Sequence, residues 1–262
     1  VSTLLYGGPG VGKTALAVSS FWDWRARKPR EGRVGRLLLI GREDNPALGL
    51  PEEMVRRFPL PEVNPLGFVE AFNKYVTALL REAKQARRKG APPVITDLVI
   101  DGLSELNYLF IYAKGIDSTD KWYAYDEWKK TFLALTQTLN PVELGANVFA
   151  TARIAERRKG TTTSKGKEVK GDPDWMDSKY IPAVEGWSRY NAPHYHHLVL
   201  YLDREVMPGK VRVAKHVVHL LPEGDYEVKN IWEHVWLANN WPTRLENAMW
   251  GDIETLLGQA TQ

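Results

Sequence analysis

The stretch Thr3 to Ala15 reads TLLYGGPGVGKTA. An apolar run leads directly into Gly7, Gly8, Pro9, Gly10, Val11, Gly12, Lys13 and Thr14, which satisfy G-x-x-x-x-G-K-[ST] at every fixed position. Glycines at this spacing let successive backbone N–H groups turn inward around phosphates, and the helix that follows directs its positive end at the same charge. In such a loop Lys13 reaches the β- and γ-phosphates and the Thr14 hydroxyl holds Mg²⁺. The context is the required one, with a strand before the loop and the helix-forming segment ALAVSSFWDW after it.

Composition bounds what can surround that loop. The 262 residues are 44% hydrophobic and 26% charged, ordinary for a globular chain built on one well-buried core. No window approaches eighteen consecutive apolar residues, and no charged segment followed by an apolar stretch stands at the start. Neither a membrane span nor a signal peptide is therefore expected, and the expected location is the cytoplasm. Zero cysteines exclude disulfides, thiol catalysis and Cys-ligated zinc. A net charge of +3 is too mild to indicate nucleic-acid binding by its sum, so its distribution matters more. Val1 already lies in the first strand without an initiator Met, so a segment upstream of it is expected.

Along the chain, Arg36–Gly41 (RLLLIG) and Asp97–Asp101 (DLVID) are short, continuous apolar runs of the kind found in strands buried on both faces. The first ends in Arg42, Glu43 and Asp44. The second ends in Asp101, a candidate for supporting Mg²⁺ through water. Leu50 to Pro65 is Pro-rich and reads as loop, and Gly67 to Lys89 has helical spacing at Phe68, Phe72, Val76, Leu79, Leu80 and Ala83. Cations in the last two turns of that helix suit a solvated face and the dipole. Tyr123 to Leu139 predicts an amphipathic helix, and Ala146 to Arg153 (ANVFATAR) a strand with polar Thr151 and Arg153 at its exit. Either could sense a γ-phosphate. Thr151 fits by position, and Arg153 reads equally well as a surface charge.

Arg153 to Lys170 carries seven Lys/Arg against two Glu, three consecutive threonines and no periodicity. It reads as a mobile basic loop. Its two readings are a solvated hairpin or a contact to a DNA backbone through Arg157, Arg158, Lys159, Lys165, Lys167 and Lys170. Trp175, Trp187 and Tyr190 follow and could stack on unpaired bases, although core packing accounts for any one of them. His194, Tyr195, His196 and His197 precede the strand Leu198–Leu202. Only His194 and His196 share a face, and no further acid or His stands at ligand spacing, so structural or surface histidines are expected rather than a metal site. Glu205 to Leu221 reads as a β-hairpin turning at Met207, Pro208 and Gly209. Its Lys210, Arg212 and Lys215 are either edge-strand charges or a basic finger reaching a neighbouring subunit's nucleotide. The tail from Ile231 to Leu257 holds Trp232, Trp236, Trp241 and Trp250, whose exposure would be costly, so it should pack on the core or a partner.

This order of elements resembles the RecA-like P-loop ATPases: a phosphate loop on the first strand, an apolar strand ending at Glu43, another ending in Asp101, a strand ending ATAR, a long loop, then a strand and a basic hairpin. Within them it is most similar to the compact phage-encoded RecA-fold proteins that act in single-strand annealing and recombination. Local matches are LVIDGLSEL (Leu98–Leu106), IPAVEG (Ile181–Gly186) before LVLYLD, and VAK (Val213–Lys215). The resemblance covers residues 1–222 and leaves 223–262 as a Trp-rich extension on the core or a neighbouring subunit.

What the resemblance implies is an α/β fold, with a mostly parallel central sheet flanked by helices and a C-terminal β-hairpin. It also implies a Mg²⁺-dependent ATPase. Lys13 and Thr14 would hold phosphates and Mg²⁺, Asp101 would support the metal, and Glu43 would activate the attacking water, with Glu105 as the rival base. Arg153 departs from the family, where His is frequent. The family further implies single-stranded DNA as partner and a ring or filament with nucleotide between subunits. Lys215 and Arg212 would then act in trans, in the host cytoplasm if the chain is phage-encoded. Alternatives are a helicase, helicase loader or DNA-packaging motor, a nucleotide-gated assembly protein with little turnover, and a small-molecule kinase. The length and Thr/Gly content of the 153–170 loop argue against the kinase.

Overall fold

The computed structural model describes residues 1–41, 49–59, 61, 64–115, 129–130, 139–156, 162–164, 167–169, 180–184, 195–206, 214–222 and 225–260. Strand β1 (Ser2–Gly7) is buried throughout and delivers the chain to helix α1 (Lys13–Val18). A two-residue ladder follows, β2 (Trp22–Asp23) against β3 (Lys28–Pro29), and then β4 (Gly35–Ile40). After a single 3₁₀ turn comes β5 (Val55–Phe58), then helix α2 (Pro65–Arg88), β6 (Asp97–Asp101) and helix α3 (Leu103–Gly115). A one-turn helix α4 (Pro141–Leu144) precedes β7 (Asn147–Glu156), the pair β8 (Thr162–Ser164) and β9 (Lys167–Val169), and β10 (Tyr180–Pro182). The remainder is β11 (Leu198–Val206), β12 (Ala214–His219), β13 (Lys229–Asn230), α5 (Glu233–Ala238), β14 (Arg244–Glu246) and α6 (Trp250–Ala260).

The main sheet runs in the order β14-β12-β11-β1-β7-β6-β4-β5. From β11 to β5 every neighbouring pair is parallel, whereas β12 and β14 add antiparallel at one edge. The molecule is thus α/β with a mostly parallel central sheet flanked by helices. Its strands bury both faces, so alternate residues feed two cores. Leu4, Tyr6, Leu38, Ile40, Leu98 and Ile100 pack with α2 and α3 on one side, while Leu5, Leu37, Leu39, Val99 and Phe149 pack with α1 and α6 on the other.

Helix α2 follows its apolar spacing: Phe68, Phe72, Val76, Leu79 and Ala83 are all buried. Asn64 caps it by accepting from Gly67 N at 2.9 Å, and Pro65 occupies its first turn. The C-terminal tryptophans divide: Trp236 and Trp250 are 0% and 1% exposed within the second core, and Trp250 meets Phe149 edge-on at 4.6 Å. No helix among the described residues is long and apolar enough to cross a membrane.

Several expectations need correction. The helix after the glycine loop ends at Val18: beyond Ser19 the chain tightens into i→i−3 bonds, Ser20 N to Ala17 O at 3.2 Å and Phe21 N to Val18 O at 3.1 Å, and side chains add to the last carbonyls. Trp24 Nε1 bonds Ala15 O at 3.1 Å, Ser19 Oγ bonds Leu16 O at 2.6 Å, and Arg30 bonds Ser20 O at 2.9 Å. The segment read as loop between Leu50 and Pro65 contains β5, held at the sheet edge by its parallel register with β4 and by the buried Phe58. The basic stretch read as a mobile loop contains strand: β7 continues to Glu156, paired by β10, and β8 and β9 form their own antiparallel ladder, as the hairpin reading has it. Most of the predicted helix Tyr123–Leu139, the Met207–Gly209 turn, Trp175, Trp187, Tyr190 and His194 lie outside the described residues.

Candidate functional site

The parallel register sets the candidate site. Gly7 at the end of β1 stands opposite Leu202 on one side and Arg153 on the other, and Asp101 at the end of β6 stands opposite Thr151 and Leu39. The carboxyl ends of β1, β7, β6 and β4 therefore align, which is where open α/β sheets place their ligands. A cleft of about 560 Å³ opens there, lined by the glycine loop, Asp101, Glu105, Thr151 and Arg153. That size is within the ~300–1,000 Å³ typical of ligand sites.

The loop takes a shape that only glycine permits at two positions. A Cβ on Gly7 would stand 2.2 Å from Leu202 O, so the strand could not approach β11 as it does. Gly12, with φ 91°, is the N-cap of α1 in the left-handed region. No side chain caps the first turn of α1, and that turn carries no acidic residue. Pro9, Gly10, Gly12, Lys13 and Thr14 all face the cleft. Gly8 and Val11 belong to the loop without lining the cleft: Val11 is buried in the second core. Lys13 Nζ donates to Gly8 O at 2.7 Å and to Gly7 O at 3.1 Å, which keeps the ammonium over the mouth of the loop.

Beneath the loop, Asp101 collects hydroxyls. Thr14 Oγ1 donates to Asp101 Oδ2 at 2.8 Å and Thr151 Oγ1 donates to Asp101 Oδ1. Thr151 in turn accepts from Gly102 N at 3.0 Å. With its proton committed to Asp101, the Thr14 oxygen keeps lone pairs for a cation. The Thr14 hydroxyl and the Asp101 carboxylate are hard oxygen donors that fit Mg²⁺, which binds through one or two protein oxygens completed by phosphates and water. Consistent with so sparse a donor set, no cluster of three or more His, Cys, Asp or Glu among the described residues forms a metal cage.

On the wall of the cleft, Glu105 in the first turn of α3 pairs with Arg153, whose side chain is 70% exposed against 17% for Glu105. Ser104 ties this wall together, accepting from Arg153 N at 3.0 Å and donating to Ala183 O at 2.6 Å. Lys13, Thr14, Asp101, Glu105, Thr151 and Arg153 thus converge. Lys215 does not line this cleft: it pairs with Glu246 of β14 at 2.6 Å. Lys167 lies in β9, opposite Ser164. Glu43, Arg212, Arg157, Arg158, Lys159, Lys165 and Lys170 lie outside the described residues.

Two participants were not read from the sequence. Ser104, next to Glu105 in LVIDGLSEL, carried no motif signal. His216 follows Lys215 on β12 and therefore points to the opposite face, where Nδ1 meets Val11 O at 3.0 Å. That alternation could have separated the two. His196 and His197, just before β11, are structural: His196 is buried, bonds Ser2 Oγ at 2.7 Å through Nδ1, and its pKa is pushed down to about 3 by desolvation. His197 Nδ1 accepts from Ser2 N at 3.1 Å. No protein-family model matches the chain, and no curated protein matches it.

Proposed function

We propose that the chain is a Mg²⁺-dependent ATPase of RecA-like type that binds single-stranded DNA and promotes annealing or strand exchange. The observation that carries the nucleotide reading is the convergence, at the carboxyl ends of parallel strands, of Lys13, the Thr14–Asp101–Thr151 hydroxyl network and the glycine loop around one cleft. The loop amides and Lys13 bind the phosphates, and Thr14 and Asp101 hold the metal, whose positive charge would offset the negative charge of the phosphates. Thr151 orients Asp101. A carboxylate, Glu43 or Glu105, orients water and accepts its proton.

The DNA reading is supported by placement: the basic stretch Arg153–Lys170 leaves from β7, the strand that carries Thr151 into the cleft. The test is ATP hydrolysis with and without single-stranded DNA over a salt series. Strong stimulation with a steep salt slope is expected, and a protein that neither binds DNA nor is stimulated by it refutes this part. One observation favours a second reading, a nucleotide-gated assembly protein with little turnover: Glu105 is engaged by Arg153. Nucleotide binding with negligible hydrolysis, unaltered by Arg153→Ala, would select it.

A further inference from the structure

We propose that His216 is a positioning residue for the Gly7–Thr14 loop, set in place by Asn247 of the C-terminal segment, and that the pair tunes nucleotide affinity. This inference rests on the nucleotide reading above. The carbonyl of Val11 can only accept, so the 3.0 Å contact requires the proton on Nδ1 of His216. A peptide group is planar and trans, so its C=O and N–H point in opposite directions. Drawing the Val11 carbonyl towards β12 therefore turns the N–H of Gly12 to the other side, and Gly12 lines the cleft. The ring also packs on the loop, its Nδ1 only 3.3 Å from where a Cβ on Gly12 would lie. The same imidazole fixes the orientation of one peptide and would have to give way by a few tenths of an ångström to a Cβ on the next residue.

His216 is itself clamped from the far end of the chain. Its N–H donates to Asn247 Oδ1 at 3.1 Å, and Asn247 N donates to His216 O at 2.6 Å. Asn247 adopts φ 48°, a left-handed conformation that Asn tolerates better than most residues. The preceding residue, Glu246, pairs with Val217 in register and bonds Lys215. Strand β14 thus holds the residue that holds the loop, although neither His216 nor Asn247 lines the cleft.

Titration with a fluorescent ATP analogue and Mg²⁺ tests this, alongside thermal unfolding without nucleotide. His216→Phe fills the space without a donor and should weaken binding about tenfold, the upper range for one hydrogen bond. His216→Asn places an amide nitrogen near the Nδ1 position and should return affinity to within about twofold of wild type. Asn247→Gly keeps the left-handed backbone and removes only the side-chain clamp, and should weaken binding about threefold. It also carries the test if the Phe variant does not fold. In hydrolysis, KM for ATP should rise while kcat stays within about twofold, because His216 does not reach the reacting atoms. Wild-type affinity in His216→Phe and Asn247→Gly, or an Asn variant as weak as Phe, overturns the inference and leaves the nucleotide reading intact. A wild type that binds no nucleotide removes both.

Discussion

Replacing Thr151 by valine separates the hydroxyl network from the packing around it. Thr151 is 2% exposed, and its Oγ1 serves twice, donating to Asp101 and accepting from Gly102 N at 3.0 Å. Valine keeps the shape but loses a hydrogen bond to a charged group, worth about 1.5–3 kcal/mol, and strands a buried amide at about 1–3 kcal/mol. The extra buried methyl returns roughly 1 kcal/mol, so the net destabilisation should be about 3 kcal/mol. Thr151→Ser keeps both bonds and loses one methyl, for about 1 kcal/mol. Urea unfolding followed by fluorescence of the ten tryptophans reads both midpoints, compared at equal slope. The Val variant should also lose Mg²⁺-dependent nucleotide affinity that Ser retains, since Asp101 is left to a single hydroxyl partner of this pair. A valine variant within about 0.5 kcal/mol of wild type, or serine costing as much as valine, would refute the reasoning.

Glu43→Gln should abolish ATP turnover with nucleotide binding retained, and Glu105→Gln should not; the reverse pattern in a hydrolysis assay reassigns the base to Glu105. His196 supplies a pH dependence. Its folded pKa, about 3, lies below the ordinary 6.5, so it contributes nothing above pH 6.5. Stability then falls as pH drops, because the unfolded chain takes up a proton that the folded one refuses. Between pH 6.5 and 5 the loss is about 2 kcal/mol, and urea midpoints for His196→Gln should lack that component. Arg33→Ala should destabilise by about 3 kcal/mol, read by the same method. It leaves the fully buried Asp97 carboxylate, 3.5 Å from the guanidinium, without that cation, and frees Glu254 of α6 from one of its two arginines.

What could be read in the sequence was whatever is local. The apolar runs of β1, β4, β6 and β11 announce strands buried on both faces, because no polar alternation is needed there. The stripe of α2 is equally local, whereas its first turn at Pro65 and the Asn64 cap fall in a stretch that reads as loop. Helix α3 was missed because Tyr108 and Tyr112 are exposed while polar Asn107 is buried, which blurs the stripe made by Leu103, Leu106, Leu109 and Phe110. Strand β5 is only four residues with two arginines at its centre, and β14 only three. Both exist through pairing to distant strands, which no local pattern encodes. The site divides in the same way. Gly7 to Thr14 and Asp101 carry spacing that chemistry dictates, whereas His216 reaches Val11 across 205 positions of sequence and Ser104 acts through backbone atoms of Arg153 and Ala183.

The central claim is that the cleft above β1 binds a nucleotide through Lys13 and a metal through Thr14 and Asp101. Binding of a fluorescent ATP analogue, with and without Mg²⁺, to wild type and Lys13→Ala tests it most directly. The account predicts Mg²⁺-dependent binding by wild type and a loss of at least about tenfold in Lys13→Ala, the scale of one charge-assisted contact. Absence of binding by wild type, or equal affinity in the two proteins, would contradict it.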